Sequence, residues 1–136
     1  MKLCDTSVLV DIDRGGVGRR VGQLDDEGRH TISVVTVTEL KLGVNARYDE
    51  ASDHHDAINE LDRLLARFDV HDVTRPVATA AAEIITDLKR CGEPLHDLHD
   101  VYIAATARTE QLPVLTANVD HFERIEAVSV VDWATF

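Results

Sequence analysis

Acidic and polar residues stand at four places where an apolar run of the sequence ends or begins. They are Asp5 after "KLC", Glu39 closing "TVTE", Asp97 and Asp100 ahead of "VYIAATA", and Thr116, Asn118 and Asp120 in "LTANVD". Each has a purely structural explanation, because Asp and Ser cap helices and Thr-x-x-Glu at residues 36–39 matches the capping box. Each could also display a polar group at the end of a strand. The residues taken singly leave both interpretations open.

The chemistry of these side chains becomes specific if they converge. Three carboxylates at one place repel each other unless they share protons or hold a cation. Mg²⁺ and Mn²⁺ prefer carboxylate, amide and water oxygens, and they can bridge a phosphate to a protein while lowering the pKa of a bound water. A convergent acidic site would therefore predict phosphodiester hydrolysis.

The elements that must position these residues can be read from the hydrophobic pattern. Short apolar runs at 2–4, 31–35, 68–70, 113–116 and 128–131 are typical of strands. Between them, two segments have a helical period, with the apolar faces Ile58, Leu61, Leu65, Phe68 and Val77, Ala81, Ile84, Ile85, Leu88; Pro76 and Gly92 flank the second. This order predicts an α/β fold with a mostly parallel sheet of about five strands. Ligands bind at the carboxyl ends of such strands, where the polar residues lie.

Composition limits the remaining possibilities. A chain of 136 residues fits one domain, 1–136, and no apolar stretch approaches the roughly 20 residues of a membrane span. The two cysteines, Cys4 and Cys91, have no CxxC spacing, and the start of the chain lacks a long apolar signal region. We therefore expect a cytoplasmic protein with reduced thiols and no membrane partner.

The charge is strongly negative and short of lysine. The 14 Lys and Arg residues against 25 Asp and Glu leave a net charge of -11, and the only lysines are Lys2, Lys41 and Lys89. Surface acid without lysine predicts a halophilic protein from a salt-rich cytoplasm. A negative protein repels nucleic acid, so a polyanion substrate requires a local reversal of sign, which a bound divalent cation supplies.

Four segments that together cover the chain nearly end to end carry a family resemblance. In order they are "LCDTSVLVDIDRG", "ISVVTVTELKLGV", "GEPLHDLHDVYIAATA" and "LPVLTANVDHFERI". They resemble the motifs of PIN-domain ribonucleases, and especially the VapC toxins of bacterial and archaeal toxin-antitoxin pairs. The resemblance implies an α/β/α sandwich and metal-dependent endonucleolytic cleavage of RNA. It also implies a homodimeric toxin that is silenced by a cognate antitoxin protein.

The resemblance also assigns roles to individual residues. It implies that Asp5 and Asp100 ligate Mg²⁺ or Mn²⁺, that Glu39 completes the catalytic site, and that Asn118 takes the fourth position, with polar support from Thr6 and Thr116. Glu39 would bind through water or position the attacking water as a general base. Arginines could hold flanking phosphates; the candidates are Arg14, Arg19, Arg20 and Arg47. Apolar side chains after Thr36 and around Ile58 could bind an antitoxin segment.

The sequence departs from the family pattern at two positions. The fourth position is often Asp, whereas Asn118 is neutral, which leaves open whether one or two metal ions bind and whether Asp120 contributes. The segment from Gly92 to Asp100 is about one residue longer than usual, so Asp97 is an alternative to Asp100. Alignment through "IAATA" favours Asp100.

Three alternatives belong to other functional classes. The first is a PIN-domain protein that processes or binds RNA without being a toxin. The second is a phospho-acceptor signalling domain, which the absence of lysine from "PVLTAN" and "VSVVDW" disfavours. The third is a zinc hydrolase built on "HDLHD", where His96, His99 and Asp100 could share a helix face, although no second His/Asp cluster completes it.

Overall fold

A parallel sheet forms the centre of the molecule. The structure, a computed structural model, describes residues 1–93 and 97–136. Its strands are β1 Leu3–Cys4, β2 Thr31–Ser33, β3 Asp69–His71, β4 Val114–Thr116 and β5 Val130–Asp132, in the spatial order β3-β2-β1-β4-β5. Every neighbouring pair runs parallel. The predicted α/β fold with a five-stranded sheet is confirmed.

Helices connect the strands and cover the sheet. They are α1 Thr6–Arg14, α2 Gly18–Asp26, α3 Val34–Arg47, α4 Ala51–Leu65, α5 Arg75–Arg90, α6 Leu98–Glu110 and α7 Val119–Phe122, with a 3₁₀ turn at Trp133–Thr135. In the part of the chain that the structure describes, none of these helices combines the length and the apolar character needed to cross a membrane.

The apolar residues form two clusters, one on each face of the sheet. Leu3 and Val114 pack with the buried faces of α5 and α6, whereas the next residues along the same strands, Cys4 and Leu115, pack with α1, α2 and α4. Successive strand residues point to opposite faces, so β1 and β4 each contribute to both clusters. Burial raises the pKa of the Cys4 thiol to about 12, which keeps it protonated and unreactive at neutral pH.

Several predicted boundaries are wrong by a few residues. The run 31–35 predicts a strand, but β2 ends at Ser33, whose Oγ accepts a hydrogen bond from Val35 N and so caps α3. Phe68 is buried with the face of α4 but lies beyond the end of that helix, and the third strand begins one residue later than predicted. The sequence pattern did not predict α2 or α7.

Candidate functional site

A polar cavity opens at the carboxyl ends of β1 and β4. Its volume is about 370 Å³. Its lining includes predicted site residues from four separate segments, namely Asp5, Thr6, Glu39, Asp100 and Asn118. Asp97 and His121 also line it, whereas Asp120 is exposed on α7 and is not part of the lining. The fold therefore brings the acidic residues together as the strand order predicts.

Asp5 is held by a network of hydroxyl groups. It is only 3 % exposed, and its Oδ2 accepts hydrogen bonds from Ser7 Oγ and Thr116 Oγ1, both at 2.8 Å. These two hydroxyls in turn accept from Ala117 N at 3.1 Å and Asn118 N at 2.9 Å. Asp5 stands at the N-cap position of α1, yet its side chain makes no capping hydrogen bond. The capping interpretation of Asp5 is therefore wrong.

Asp100 lies in the first turn of α6 and contacts α7. Its Oδ2 is 2.8 Å from Nδ1 of His121, and its side chain is 17 % exposed. Burial raises the pKa of Asp100, and the negative charge of Asp5 raises it further, while the hydrogen bond to His121 opposes this rise. Asp5 and Asp100 thus lie near enough for their charges to interact across the cavity.

Glu39 faces the cavity from α3 and does not form the predicted capping box. Because α3 begins at Val34 with Ser33 as its cap, Thr36 lies inside the first turn and cannot be the N-cap. The Oε1 of Glu39 accepts instead from Thr6 Oγ1 at 2.8 Å, and since the single hydroxyl proton of Thr6 is used there, Thr36 is the donor in the 3.0 Å contact between the two threonines. Burial raises the pKa of Glu39, whereas the Thr6 hydrogen bond and His99 lower it.

Asp97 and His99 form a second group beside Glu39. Asp97 caps α6, because its Oδ1 accepts from His99 N at 2.8 Å. The imidazole Nδ1 of His99 lies 3.3 Å from Asp97 Oδ1 and 3.7 Å from Glu39 Oε2. One ligand atom from each of the three residues lies within 4.8 Å of the others, a spacing that could hold a metal ion. His96, the remaining histidine of the zinc hypothesis, lies outside the described residues.

The donor set of the cavity suits a hard divalent cation. Among the described residues, both side-chain hydrogen bonds to Asp5 reach Oδ2 and the one to Asp100 also reaches Oδ2, so each carboxylate keeps Oδ1 for another partner. Oxygen donors of this kind, with the Asn118 amide and Glu39 alongside, are what Mg²⁺ and Mn²⁺ bind. The acidic site is therefore able to hold a metal ion.

Sequence reasoning missed two histidines and one serine of the site. Ser7 and His121 were not predicted as site residues, and His99 was predicted only as part of the zinc alternative. The available signal was position: His121 comes three residues after Asn118 on a short helix, and His99 directly precedes Asp100. Of the predicted phosphate-binding arginines, Arg20 packs elsewhere, since its Nη1 donates to Trp133 O at 3.1 Å.

A groove adjoins the acidic cavity between α1, α3 and α4. Its volume is about 710 Å³, and it shares Thr6, Val10 and Glu39 with the cavity. Apolar and basic side chains both line it; they include Leu40, Val44, Leu61, Arg14 and Arg47. The groove thus combines the helices expected to bind a partner with two of the arginines expected near the site.

Comparison with known proteins agrees with this arrangement. The profile of the PIN domain matches residues 2–128. The chain is 30% identical over 129 residues to Ribonuclease VapC1 of Rickettsia felis, covering 95% of this chain and 93% of that protein. It is 31% identical over 124 residues to Ribonuclease VapC1 of Methanocaldococcus jannaschii, covering 91% and 80%. It superimposes with a TM-score of 0.80 on a chain of the DNA-bound VapBC structure from Salmonella typhimurium, at 26% identity and with 98% and 99% coverage. The chain therefore belongs to the PIN domain family and, within it, to the VapC group.

Proposed function

We propose that this protein is an endoribonuclease that hydrolyses RNA phosphodiester bonds with Mg²⁺ or Mn²⁺ and acts as the toxin of a type II toxin-antitoxin pair. The observation that carries the proposal is the pair Asp5 and Asp100 in one cavity, each with Oδ2 fixed by side-chain hydrogen bonds and, among the described residues, with no side-chain hydrogen bond to Oδ1. The ribonuclease names of VapC relatives support the reaction class.

The residues of the cavity divide the chemistry among them. Asp5 and Asp100 would hold the cation, and Asn118 would add a neutral amide oxygen. A bound Mg²⁺ or Mn²⁺ supplies charge neutralisation at the phosphate and a water of lowered pKa. Glu39, whose pKa is raised by burial, positions the attacking water and accepts its proton as the new bond to phosphorus forms and one P–O ester bond breaks. Thr6 orients Glu39, while Thr116 orients Asp5.

Metal-dependent cleavage tests this proposal directly. We expect a labelled RNA to be cut with Mg²⁺ or Mn²⁺ and to remain intact with EDTA. Asp5→Asn and Asp100→Asn should each lower the rate on the order of 10²-fold or more, since they remove ligands whose ion stabilises the transition state by several kcal/mol. Asp97→Asn, three residues away, tests the alternative ligand and should retain most of the activity, because an Asn side chain can still cap α6.

Two outcomes would contradict these assignments. Cleavage that persists in EDTA and in both variants would exclude a metal-dependent reaction at Asp5 and Asp100. Loss of cleavage in Asp97→Asn but not in Asp100→Asn would show that Asp97 is the ligand.

We further propose that the groove between α1, α3 and α4 binds a segment of the antitoxin. A VapBC structure among the similar folds supports a protein partner of this kind. The half-buried apolar residues Leu40 and Val44 would contact a partner's side chains, while Arg14 and Arg47 would pair with its acidic groups. Because the groove shares Glu39 with the cavity, a bound segment would obstruct the acidic site.

Co-expression tests the toxin assignment and the groove together. We expect growth arrest on expression of this chain and relief by a co-expressed neighbouring gene. Val44→Arg should weaken that relief, whereas Leu42→Arg, on an exposed position of the same helix, should not. RNA cleavage without growth arrest would favour an RNA-processing role instead.

We place this activity in the cytoplasm of a cell with high internal salt, because the net charge is -11 and lysine is scarce. A homodimer is the assembly that the family resemblance suggests, and light scattering after size exclusion at molar KCl measures it.

A further inference from the structure

We propose that His121 is a positioning residue that orients Asp100 for metal binding. This inference rests on the proposed function, since it concerns the same cation site. It adds a role for a residue that neither the motif nor the ligand chemistry assigned.

The hydrogen bond between His121 and Asp100 has a defined direction. The Nδ1 of His121 lies 2.8 Å from Asp100 Oδ2. A carboxylate that binds a cation is ionised and has no proton to give, so in the metal-binding state Nδ1–H is the donor and Asp100 the acceptor. The contact fixes one oxygen of Asp100, and among the described residues the other oxygen accepts no side-chain hydrogen bond. A carboxylate restrained in this way presents a single oxygen to a cation.

Asp5 is restrained in the same manner from the same short segment. Thr116 Oγ1 donates to Asp5 Oδ2 at 2.8 Å, and His121 follows five residues later. The backbone between them is itself fixed, because Asn118 N donates to Thr116 Oγ1 at 2.9 Å and His121 N donates to Asn118 O at 3.0 Å. The segment 116–121 therefore orients both aspartates at once.

This arrangement gives the fourth motif a function that does not require a fourth carboxylate. Asn118 is neutral, and Asp120 is exposed outside the cavity lining. Besides the Asn118 amide, the segment supplies two hydrogen-bond donors to the acidic site, the Thr116 hydroxyl and the His121 imidazole. Partners of this kind, which hold metal ligands without touching the metal, typically affect metal affinity by 10- to 100-fold.

Titration of Mn²⁺, followed by calorimetry or electron paramagnetic resonance, tests the role of His121. His121→Phe keeps a ring of similar size but removes the donor, whereas His121→Asn keeps a donor near the position of Nδ1. We expect the Phe variant to bind Mn²⁺ about 10- to 100-fold more weakly than the wild type and the Asn variant to bind within a few-fold of it. Cleavage by the Phe variant should recover at saturating Mn²⁺, because the ligands themselves remain.

The control is Asp120→Asn, on the same helix, which should bind Mn²⁺ as the wild type does. Urea unfolding of each variant shows that it is folded under the titration conditions. Wild-type Mn²⁺ affinity in a folded His121→Phe protein would overturn the inference, and so would equal weakening in the Phe and Asn variants. If His121 governs Mn²⁺ affinity but no RNA is cleaved, the inference stands and the proposed function fails.

Discussion

Asp97 and Asp100 lie one helical turn apart at the start of α6, yet their surroundings give them different properties. The carboxylate of Asp97 caps the helix by accepting a hydrogen bond from His99 N, and its side chain is 43 % exposed. Asp100 is more deeply buried, and the negative charge of Asp5 raises its pKa. Among the described residues it accepts a side-chain hydrogen bond from a single donor, His121. The same residue type therefore stabilises a helix at one position and forms part of an acidic site at the other.

Burial and the nearby Asp5 charge make Asp100 a source of pH dependence in the metal-free protein. Its pKa is raised by folding, so the folded state binds the proton more tightly than the unfolded state. The stability associated with Asp100 is then complete below the unfolded pKa of about 4 and is lost as the pH rises through the higher folded value. We expect Asp100→Asn to lose less stability than the wild type over this interval.

Urea unfolding in EDTA from about pH 4 to neutral pH measures this difference. Added Mg²⁺ should raise the stability of the wild type at neutral pH but have little effect on Asp100→Asn. If the free energy of unfolding changed with pH in the same way in both proteins, Asp100 would not be the source of this pH dependence.

Thr6 orients the proposed catalytic residue Glu39 through a hydrogen bond, and the size of this contribution can be measured. It donates to Glu39 at 2.8 Å and accepts from Thr36. Thr6→Val keeps the shape but leaves a partly buried carboxylate without its donor, a loss of about 1.5–3 kcal/mol for a hydrogen bond to a charged group. We expect RNA cleavage to fall on the order of 10-fold.

Steady-state cleavage rates for Thr6→Val and Thr86→Val measure this effect. Thr86 donates only to its own helix backbone at an exposed site, so its replacement should leave the rate unchanged. An equal fall in both variants would point to a general cost of removing threonine hydroxyls.

At the scale of elements, the pattern of apolar runs predicted that the five strands exist but not the residues at which each begins and ends. Val34 and Val35 are β-branched and extend the strand-like run, but the Ser33 hydroxyl caps a helix at this point. The spacing of apolar residues gives no information about that hydrogen bond. The short helix α7 has only four residues, too few for a helical period to be detected. His121 was missed for a different reason, since its contact with Asp100 joins residues 21 positions apart on two helices, and a local pattern does not contain such a contact. The acidic residues were predictable because parallel strands end at one edge of the sheet.

The cap at Ser33 gives a prediction at this scale. We expect Ser33→Ala to destabilise the protein by about 1 kcal/mol, because the first turn of α3 loses its side-chain acceptor. Thr74 caps α5 in the same way, so Thr74→Ala should cost a similar amount. Only Ser33→Ala should also lower cleavage by the folded protein, since α3 carries Thr36 and Glu39. Urea unfolding and cleavage assays well below the transition compare the two variants.

Over the whole molecule, the net charge of -11 opposes compaction and is relieved by salt. The acidic residues include like-charged neighbours on α4, such as Asp56 and Glu60, which are four residues apart and exposed. Such a pair costs about 0.2–0.5 kcal/mol at low salt. Many weak repulsions between acidic side chains therefore destabilise the folded protein, and added salt would reduce all of them.

We accordingly expect the free energy of unfolding to increase with KCl, with most of the gain between about 0.1 M and 1 M, where the Debye length falls from about 10 Å to about 3 Å. The double variant Asp56→Asn with Glu60→Gln should be more stable than the wild type at low salt and should gain less from added KCl. Thermal or urea unfolding over a KCl series measures both effects. Stability that is independent of KCl would contradict the expectation of a salt-rich cytoplasm, because the acidic surface would then impose no cost that screening could relieve.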